Sequence, residues 1–176
     1  MDAYVFMSNA DRSTIASLAD SSDPRIRFVT ELAGAYDGFL ALDVANVRDL
    51  RDVMLDTVRG AGHADTDTAI AVQPTGAAAI NQPTAIRRWI IFSPVEAYTR
   101  IHCQRGHVVD VFEAIQNIDG FLGASLVAGR YDIALGVGGD TYDEVSGVLL
   151  SQLQAIDGIV ATVSSFASND KDESAS

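Results

Sequence analysis

Alternating apolar and polar residues predict four strands in the first half of the chain. Residues 3–7 form an apolar run, and residues 26–30 alternate with the period of two that marks a half-buried strand. Residues 39–44 form a second apolar run, and residues 66–70 are rich in β-branched side chains. The pattern therefore indicates a sheet built from short strands.

Two segments between these strands have helical spacing. Asp11 and its neighbours predict a helix that begins near Arg12 and is broken before Pro24. Asn46 can cap a second helix, which Gly60 and Gly62 end. The residues expected on the buried face of that helix are Val47, Leu50, Met54 and Val58.

The second half of the chain repeats this pattern. Gly34-Ala35-Tyr36-Asp37 and Gly129-Arg130-Tyr131-Asp132 each precede an apolar strand, and an offset of 95 residues relates Tyr36 to Tyr131. Residues 97–103 match the first strand, and the helix after it presents Val108, Val111, Phe112, Ile115 and Ile118 at helical spacing. Thr141 and Glu144 have the spacing of a capping box. The helix that they open is expected to bury Tyr142, Val145, Leu149, Leu153 and Ile156.

This order predicts an α+β fold of two tandem ferredoxin-like (βαββαβ) domains. Helices cover one face of each antiparallel sheet, so the other faces are expected to pack face to face, as in dimeric α/β barrels. We expect the domains at 1–72 and 95–168, with a linker at 73–94 in which Trp89 to Phe92 suit an additional strand. Residues 169–176 are expected to be a disordered acidic tail.

The composition limits the kinds of partner that the protein is expected to bind. The formal net charge is −12, with 12 basic and 24 acidic residues, so direct binding to nucleic acid or to an anionic membrane is not expected. The only basic cluster, Arg87-Arg88, is expected to be solvated. A single cysteine, an acidic N-terminus and the lack of an apolar run of about 20 residues predict a cytoplasmic protein.

Several motifs of the second half together resemble a known family. Ile118-Asp119-Gly120-Phe121 follows a helix, Gly129 to Ile133 lies between strands, and Gln154 to Ile159 ends the last helix. The pattern resembles the C-terminal ligand-binding (RAM) domain of the Lrp/AsnC family of bacterial and archaeal transcription regulators. The resemblance covers about residues 97–168 well and residues 3–72 more faintly.

The resemblance implies a homo-oligomer that binds a small effector, such as an amino acid, at subunit junctions near the Gly-x-Tyr-Asp turn. The ligand-binding residues carried over are Gly129, Tyr131, Asp132, Gly34, Tyr36 and Asp37. DNA binding does not carry over, because family regulators place a helix-turn-helix ahead of this domain and the sequence begins directly with a strand. A full-length regulator of the same family is therefore a candidate partner.

The same turn residues also have a purely structural interpretation. Glycine suits the turn, aspartate can accept hydrogen bonds from main-chain amides, and tyrosine can cover the edge of the core. The residue types do not distinguish this interpretation from ligand binding.

The sequence gives little indication of metal or catalytic chemistry. His102 and Cys103 are expected on opposite faces of a strand, and His107 completes no ligand set with them. The glycines of residues 136–139 lack the Lys-Ser/Thr of a phosphate loop. We therefore predict no metal, no cofactor and no catalytic residue.

Three functions are compatible with these features of the sequence. The first is a non-enzymatic effector-binding module without its own DNA-binding domain, acting through oligomerisation or a partner regulator. The second is an α+β barrel enzyme of the small oxygenase or decarboxylase type, since one scaffold hosts both classes. The third is a structural oligomerisation unit that binds no ligand.

Overall fold

Nine strands form the sheet in the described part of the chain. The computed structural model describes residues 1–62, 64–72 and 93–168. The strands are β1 (Asp2–Ser8), β2 (Ile26–Glu31), β3 (Ala33–Gly34), β4 (Gly38–Asp43), β5 (Asp65–Ala71), β6 (Val95–Cys103), β7 (Phe121–Ala128), β8 (Ile133–Gly139) and β9 (Ile159–Ser168). The expected additional strand near Trp89, the Arg87-Arg88 pair and the acidic tail lie outside the described residues.

Among the described residues, five α-helical segments connect the strands. They are α1 (Arg12–Ala19), α2 (Val47–Asp52), α3 (Arg59–Ala61), α4 (Val108–Ala114) and α5 (Tyr142–Val148). A π-helical segment, Val53–Val58, joins α2 to α3, and a second one, Leu149–Leu153, continues α5. Asp11, Asn46 and Thr141 cap the first turns of α1, α2 and α5 with side-chain oxygens. None of the described helices has the length and apolar character needed to span a membrane.

All strand pairs are antiparallel, and the strands form one continuous order: β2-β4-β1-β5-β7-β8-β6-β9-β3. The first and last members of this order, β2 and β3, are separated in the chain only by Leu32. The sheet therefore closes on itself. The predicted mixture of helices with a large antiparallel sheet is confirmed.

A core shared by the two halves of the chain fills the inside of this closed sheet. Its buried members come from strands of both halves: Tyr4, Phe6, Leu32, Phe39, Ala41, Ala69, Tyr98, Val127, Ala134 and Ala167. Phe39 connects the halves directly, because its ring stacks on Tyr98 with centroids 4.5 Å apart and contacts Phe6 edge-on at 5.1 Å. Aromatic pairs in these arrangements stabilise a core beyond the area they bury.

Two further apolar clusters lie between the sheet and the helices. The first half contributes Val5, Leu18, Leu40 and Val53, among others, and the second half contributes Ile101, Phe112, Leu135 and Leu149, among others. Both sides of the sheet are thus buried, which explains why strands such as β1 and β8 are apolar at nearly every position.

Two helix residues depart from the sequence prediction. Val47 and Tyr142, expected on buried faces, are 63% and 57% exposed. Each is the first residue of its helix, where the chain has just left the sheet, and the Tyr142 ring instead packs at a tilt against that of Phe166. The π-helical turn of the first half also changes the expected face, because Val53 is fully buried while Met54 is only partly so.

The turn before β2 is fixed by one carboxylate. Asp23 accepts hydrogen bonds from Nε and Nη2 of Arg25, from the Arg25 main chain, and from Oγ1 of Thr57 at 2.8 Å. The guanidinium of Arg25 holds the pKa of Asp23 well below its usual range. Thr57 belongs to the π-helical segment, so this carboxylate ties the turn to the second helical region.

We expect Asp23→Asn to lower the free energy of unfolding by about 1 to 2 kcal/mol at pH 7, because the hydrogen bonds to a charged acceptor are weakened. A depressed pKa stabilises the folded state above the usual carboxyl pKa, and this contribution is lost as the pH falls through the folded value. The difference between wild type and variant should therefore shrink below about pH 4. Urea unfolding at pH 7 and pH 3 measures it, with the exposed Asp56→Asn as the control. A difference that is the same at both pH values would contradict the assignment.

Candidate functional site

The two Gly-x-Tyr-Asp turns lie where the halves of the chain join. In the first turn, Ala33 and Gly34 pair with Phe166 and Ser165 of β9. In the second half, Ala128, directly before Gly129, pairs with Ile70 of β5. Each turn therefore contacts the last strand of the opposite half, and together they form the two seams that close the sheet.

The glycines permit this close approach to different degrees. Gly34 has φ +133°, and a Cβ there would lie 3.3 Å from the carbonyl oxygen of Ser164. A Cβ on Gly129 would lie 3.6 Å from the carbonyl oxygen of Thr68, an ordinary contact. Only the first turn requires glycine for its backbone conformation.

The tyrosines of both turns meet at one arginine. The guanidinium carbon of Arg100 lies 4.3 Å from the ring centroid of Tyr36, 4.1 Å from that of Tyr131 and 4.8 Å from that of Phe6. These distances are within the range of cation–π attraction. The structure thus brings together two of the predicted residues from motifs 95 positions apart.

Arg100 is almost completely buried and only partly satisfied. Its side chain is 2% exposed, and Nη1 pairs with Oδ2 of Asp67, which is 30% exposed. Its Nε and Nη2 are buried and have no hydrogen-bond partner among the described residues. Leaving such a donor unpaired costs roughly 1 to 3 kcal/mol. Burial lowers the pKa of Arg100, and the nearby Tyr131 opposes that shift.

The two aspartates of the motifs bind main-chain groups. Oδ2 of Asp37 accepts a hydrogen bond from the amide of Ala10, and Oδ2 of Asp132 accepts one from the amide of Cys103 at 2.8 Å. Their own amides donate to the carbonyls of Met7 and Ile101 in the first strand of each half. Both aspartates therefore hold the turn against that strand.

His102 and Cys103 follow Arg100 on β6. Nδ1 of His102 lies 2.9 Å from Oδ2 of Asp132, and the imidazole is half exposed. Burial raises the pKa of the Cys103 thiol to about 11, so this thiol is a poor nucleophile at neutral pH. In the described part of the chain, no cluster of three or more His, Cys, Asp or Glu side chains could hold a metal.

A second polar group lies inside the closed sheet. Tyr98 donates to Oε2 of the buried Glu96 at 2.6 Å, and the hydroxyls of Tyr4 and Ser125 are 2.8 Å apart. Burial raises the pKa of both tyrosines, and the Glu96 carboxylate adds to the shift of Tyr98. Both phenols therefore remain protonated at neutral pH.

Sequence reasoning missed Arg100 and Asp67. The signal was present, because Glu96, Tyr98, Arg100 and His102 occupy alternate positions of β6 while Ala97, Ile101 and Cys103 lie on the helix-covered side. Charged residues at alternating positions ordinarily indicate a solvent-facing side. Here that side faces the other half of the chain, which a single strand pattern cannot reveal.

The second-half residues of this site lie in a segment that matches a family model. Residues 96–175 match the family model of the Lrp/AsnC ligand binding domain. The match includes Arg100 and the Gly129 to Asp132 turn, so the resemblance expected from the sequence is confirmed for this part of the chain. A search of curated proteins gave no match.

Solved structures share the fold over different lengths. The siroheme decarboxylase NirDL, in complex with an iron-uroporphyrin III analogue, aligns over 95% of this chain and 70% of its own, with 12% identity and a TM-score of 0.66. A major regulator of staphylococcal pathogenesis aligns over 97% of this chain and 100% of its own, with 10% identity and a TM-score of 0.50. Escherichia coli AsnC aligns over 69% and 68%, with 16% identity and a TM-score of 0.41. At these identities, the likeness concerns the fold alone.

We expect the two motif glycines to respond differently to alanine. Gly34→Ala should lower the free energy of unfolding by about 1 to 3 kcal/mol, because alanine is strained at positive φ and its Cβ would press on β9. Gly129→Ala, placed at the equivalent position of the Lrp/AsnC-type half, should cost less than about 1 kcal/mol. Urea unfolding of the two variants beside wild type provides the comparison. Equal losses at both positions would show that the backbone of the first turn is not specially constrained.

Proposed function

We propose that the chain is a non-enzymatic effector-binding module of the Lrp/AsnC type, built from two ferredoxin-like units at residues 1–72 and 95–168. In this proposal, a small metabolite such as an amino acid binds where the two Gly-x-Tyr-Asp turns meet. The binding residues are Gly34, Tyr36 and Asp37 of the first turn and Gly129, Tyr131 and Asp132 of the second. The glycines and aspartates shape the turns, and the tyrosines face the site.

The tandem arrangement is supported by matching hydrogen bonds in the two halves. The amide of Leu32 donates to the carbonyl of Asp37 at 2.8 Å, and the amide of Val127 donates to the carbonyl of Asp132 at 2.9 Å. Leu32 and Val127 differ by the same 95 positions that separate the two aspartates. Residues 2–71 and 95–168 also share the order strand, helix, strand, strand, helix, strand, apart from the added β3.

The observation that carries the proposal is the state of Arg100. Its guanidinium is buried among three aromatic rings, and two of its nitrogen donors have no hydrogen-bond partner within the described part of the chain. A ligand could satisfy these donors. Two of the rings, Tyr36 and Tyr131, are only half-buried, so the cluster borders solvent. A perturbed, partly satisfied charge at such a border is typical of a functional site.

The position of the site suggests how binding produces an output. The turns also form the seams of the closed sheet, where β3 meets β9 and β5 meets β7 through two residue pairs each. A ligand that orders these turns would stabilise one arrangement of the halves over another. The module would then act by changing its assembly as a homo-oligomer or its affinity for a full-length Lrp/AsnC-type regulator.

An enzymatic function is the second candidate, and two observations favour it. The fold aligns with that of a siroheme decarboxylase over nearly the whole chain. In addition, Glu96, Tyr98, Arg100 and His102 place acid, phenol, cation and imidazole groups at successive alternating positions of one strand. Conversion of a bound compound would support this candidate over sensing.

A thermal-shift screen of the 20 common L-amino acids and simple carboxylic acids tests the proposal. A true effector at about 100 times its Kd should raise the melting temperature by roughly 5 to 10 °C in a chain of this size. Tyr36→Ala and Tyr131→Ala should abolish the shift, whereas the exposed Tyr142→Ala should retain it. If no compound in the screen shifts wild type, the sensing proposal fails and the structural role is favoured.

A further inference from the structure

The free edge of Arg100 has the geometry of a carboxylate receptor. Nε–H and one N–H of Nη2 point in the same direction along one edge of a guanidinium, and together they match the two oxygens of a carboxylate. In Arg100 this edge is unpaired among the described residues, while Nη1 on the other side holds Asp67. The protein thus leaves open the edge suited to bidentate recognition.

The rings around Arg100 do not satisfy this edge. Cation–π attraction acts between the guanidinium and the face of a ring, and the ring carbons accept no conventional hydrogen bond from the edge. Phe6 has no polar atom, and no described residue forms a hydrogen bond with Nε or Nη2. The Tyr131 side chain lies near enough to oppose the lowering of the Arg100 pKa by burial, but it leaves these two donors unpaired. A ligand carboxylate would add what the cluster lacks.

Among the described residues, the equivalent position of the first half has no such arginine. Phe6 pairs with Phe39 across β1 and β4, and Arg100 pairs with Ala134 across β6 and β8. Phe39 and Ala134 are related by the offset of 95, so Phe6 occupies the position of Arg100 in the first half. The first half therefore has the ring of Phe6 where the second half has the charge of Arg100. The residue paired with Arg100 is the small Ala134.

We propose that Arg100 binds the carboxylate of one small ligand per chain through Nε and Nη2, with Phe6, Tyr36 and Tyr131 packing around the ligand's apolar part. This inference rests on the proposed function and specifies its ligand as an aromatic or other apolar monocarboxylate. A single negative charge fits, because Asp67 already neutralises part of the guanidinium and would repel a second charge on the ligand. The ring at Phe6 predicts one site per chain, even though the turn motif occurs twice.

Entry to the site requires a tyrosine to move. Nε and Nη2 are buried, whereas Tyr36 and Tyr131 lie in turns and are half-buried, and Phe6 is fully packed in the shared core. Rotation of a surface tyrosine costs far less packing than displacement of a core phenylalanine. Tyr36 and Tyr131 are therefore the side chains that open to admit the ligand.

The test uses 3-phenylpropanoate and its neutral amide, 3-phenylpropanamide, titrated by calorimetry into the full chain. We expect one carboxylate per chain and binding of the amide at least about 10-fold weaker, because the amide cannot form the charged pair of hydrogen bonds. In ¹H–¹⁵N spectra of arginine side chains, the Nε–H signal of Arg100 should shift with the carboxylate and stay in place with the amide.

Variants distinguish recognition by the Nε–Nη2 edge, the planar fork of the guanidinium, from attraction by positive charge in general. Arg100→Lys keeps the charge but loses the planar fork, and it should weaken binding about 10-fold or more. Asp67→Asn removes the competing carboxylate and should leave binding equal or tighter. Arg130→Gln removes an exposed charge from the same turn and should change affinity less than about 3-fold. If Arg100→Lys binds as tightly as wild type while Arg130→Gln weakens binding, net charge explains the binding and the proposal is wrong.

A double variant serves as the control for loss of folding. Arg100→Met leaves Asp67 without its partner, so the double variant Asp67→Asn/Arg100→Met removes both charges together. Near-ultraviolet circular dichroism verifies that it folds, and we expect it to bind no 3-phenylpropanoate. Unchanged affinity in the folded double variant, equal binding of the amide, or two ligands per chain would each overturn the inference.

The outcomes also separate this inference from the function on which it rests. If an amino acid shifts the melting temperature of wild type but the folded double variant responds equally, sensing stands and the Arg100 site falls. If neither the screen nor the titration detects binding to wild type, both proposals fall.

Discussion

The constraint on which the structure depends is that helices cover only one side of each half-sheet. The uncovered side of β1 presents Tyr4 and Phe6, and that of β6 presents Tyr98, so either half alone would expose large aromatic side chains. Burial of one such side chain stabilises a fold by about 1.5 to 3 kcal/mol. Mutual coverage of these two surfaces gives the Phe39–Tyr98 stack and the core around it. The halves are consequently parts of one structure, and their junction is the only place where both turn motifs can act together.

At that junction, the Gly-x-Tyr-Asp turn combines three tasks. Gly34 allows the backbone to approach β9, and the two tyrosines enclose Arg100. Asp37 and Asp132 accept hydrogen bonds from main-chain amides. The structural and ligand-binding interpretations of the motif are therefore compatible with each other. A turn that is rigid through glycine and aspartate can present its tyrosine in a defined position, which is what preorganised recognition requires.

The elements of the fold that depend on local sequence could be predicted from short sequence patterns. Alternation located β2, the apolar runs located β1 and β4, and Asn46 and Thr141 cap the helices that the sequence assigned to them. These features depend on interactions within a few residues, which short patterns record.

Features that depend on distant contacts could not be found in this way. Arg100 looks like a surface residue until β1 and the two turns are placed around it, and those partners lie up to 94 positions away in the chain. The exposure of Val47 and Tyr142 reflects where each helix leaves the sheet, which periodicity does not encode. The two turns of the candidate site could therefore be located from the sequence, whereas the buried Arg100 could not.

In the proposed tandem arrangement, the charge of Arg100 depends on a difference between the two halves of the chain. In a dimer of identical halves, an arginine at the Arg100 position would face a second arginine at the Phe6 position, where the ring centroid lies 4.8 Å from the guanidinium carbon of Arg100. Two cations at about that separation would repel each other. At an effective dielectric constant near 20, that repulsion would be roughly 3 kcal/mol, and burial would add to it. Joining the halves in one chain lets Phe6 and Arg100 differ, so a single cation can be buried against a ring. The difference between these two positions is thus the physical condition for burying a single cation in the proposed tandem.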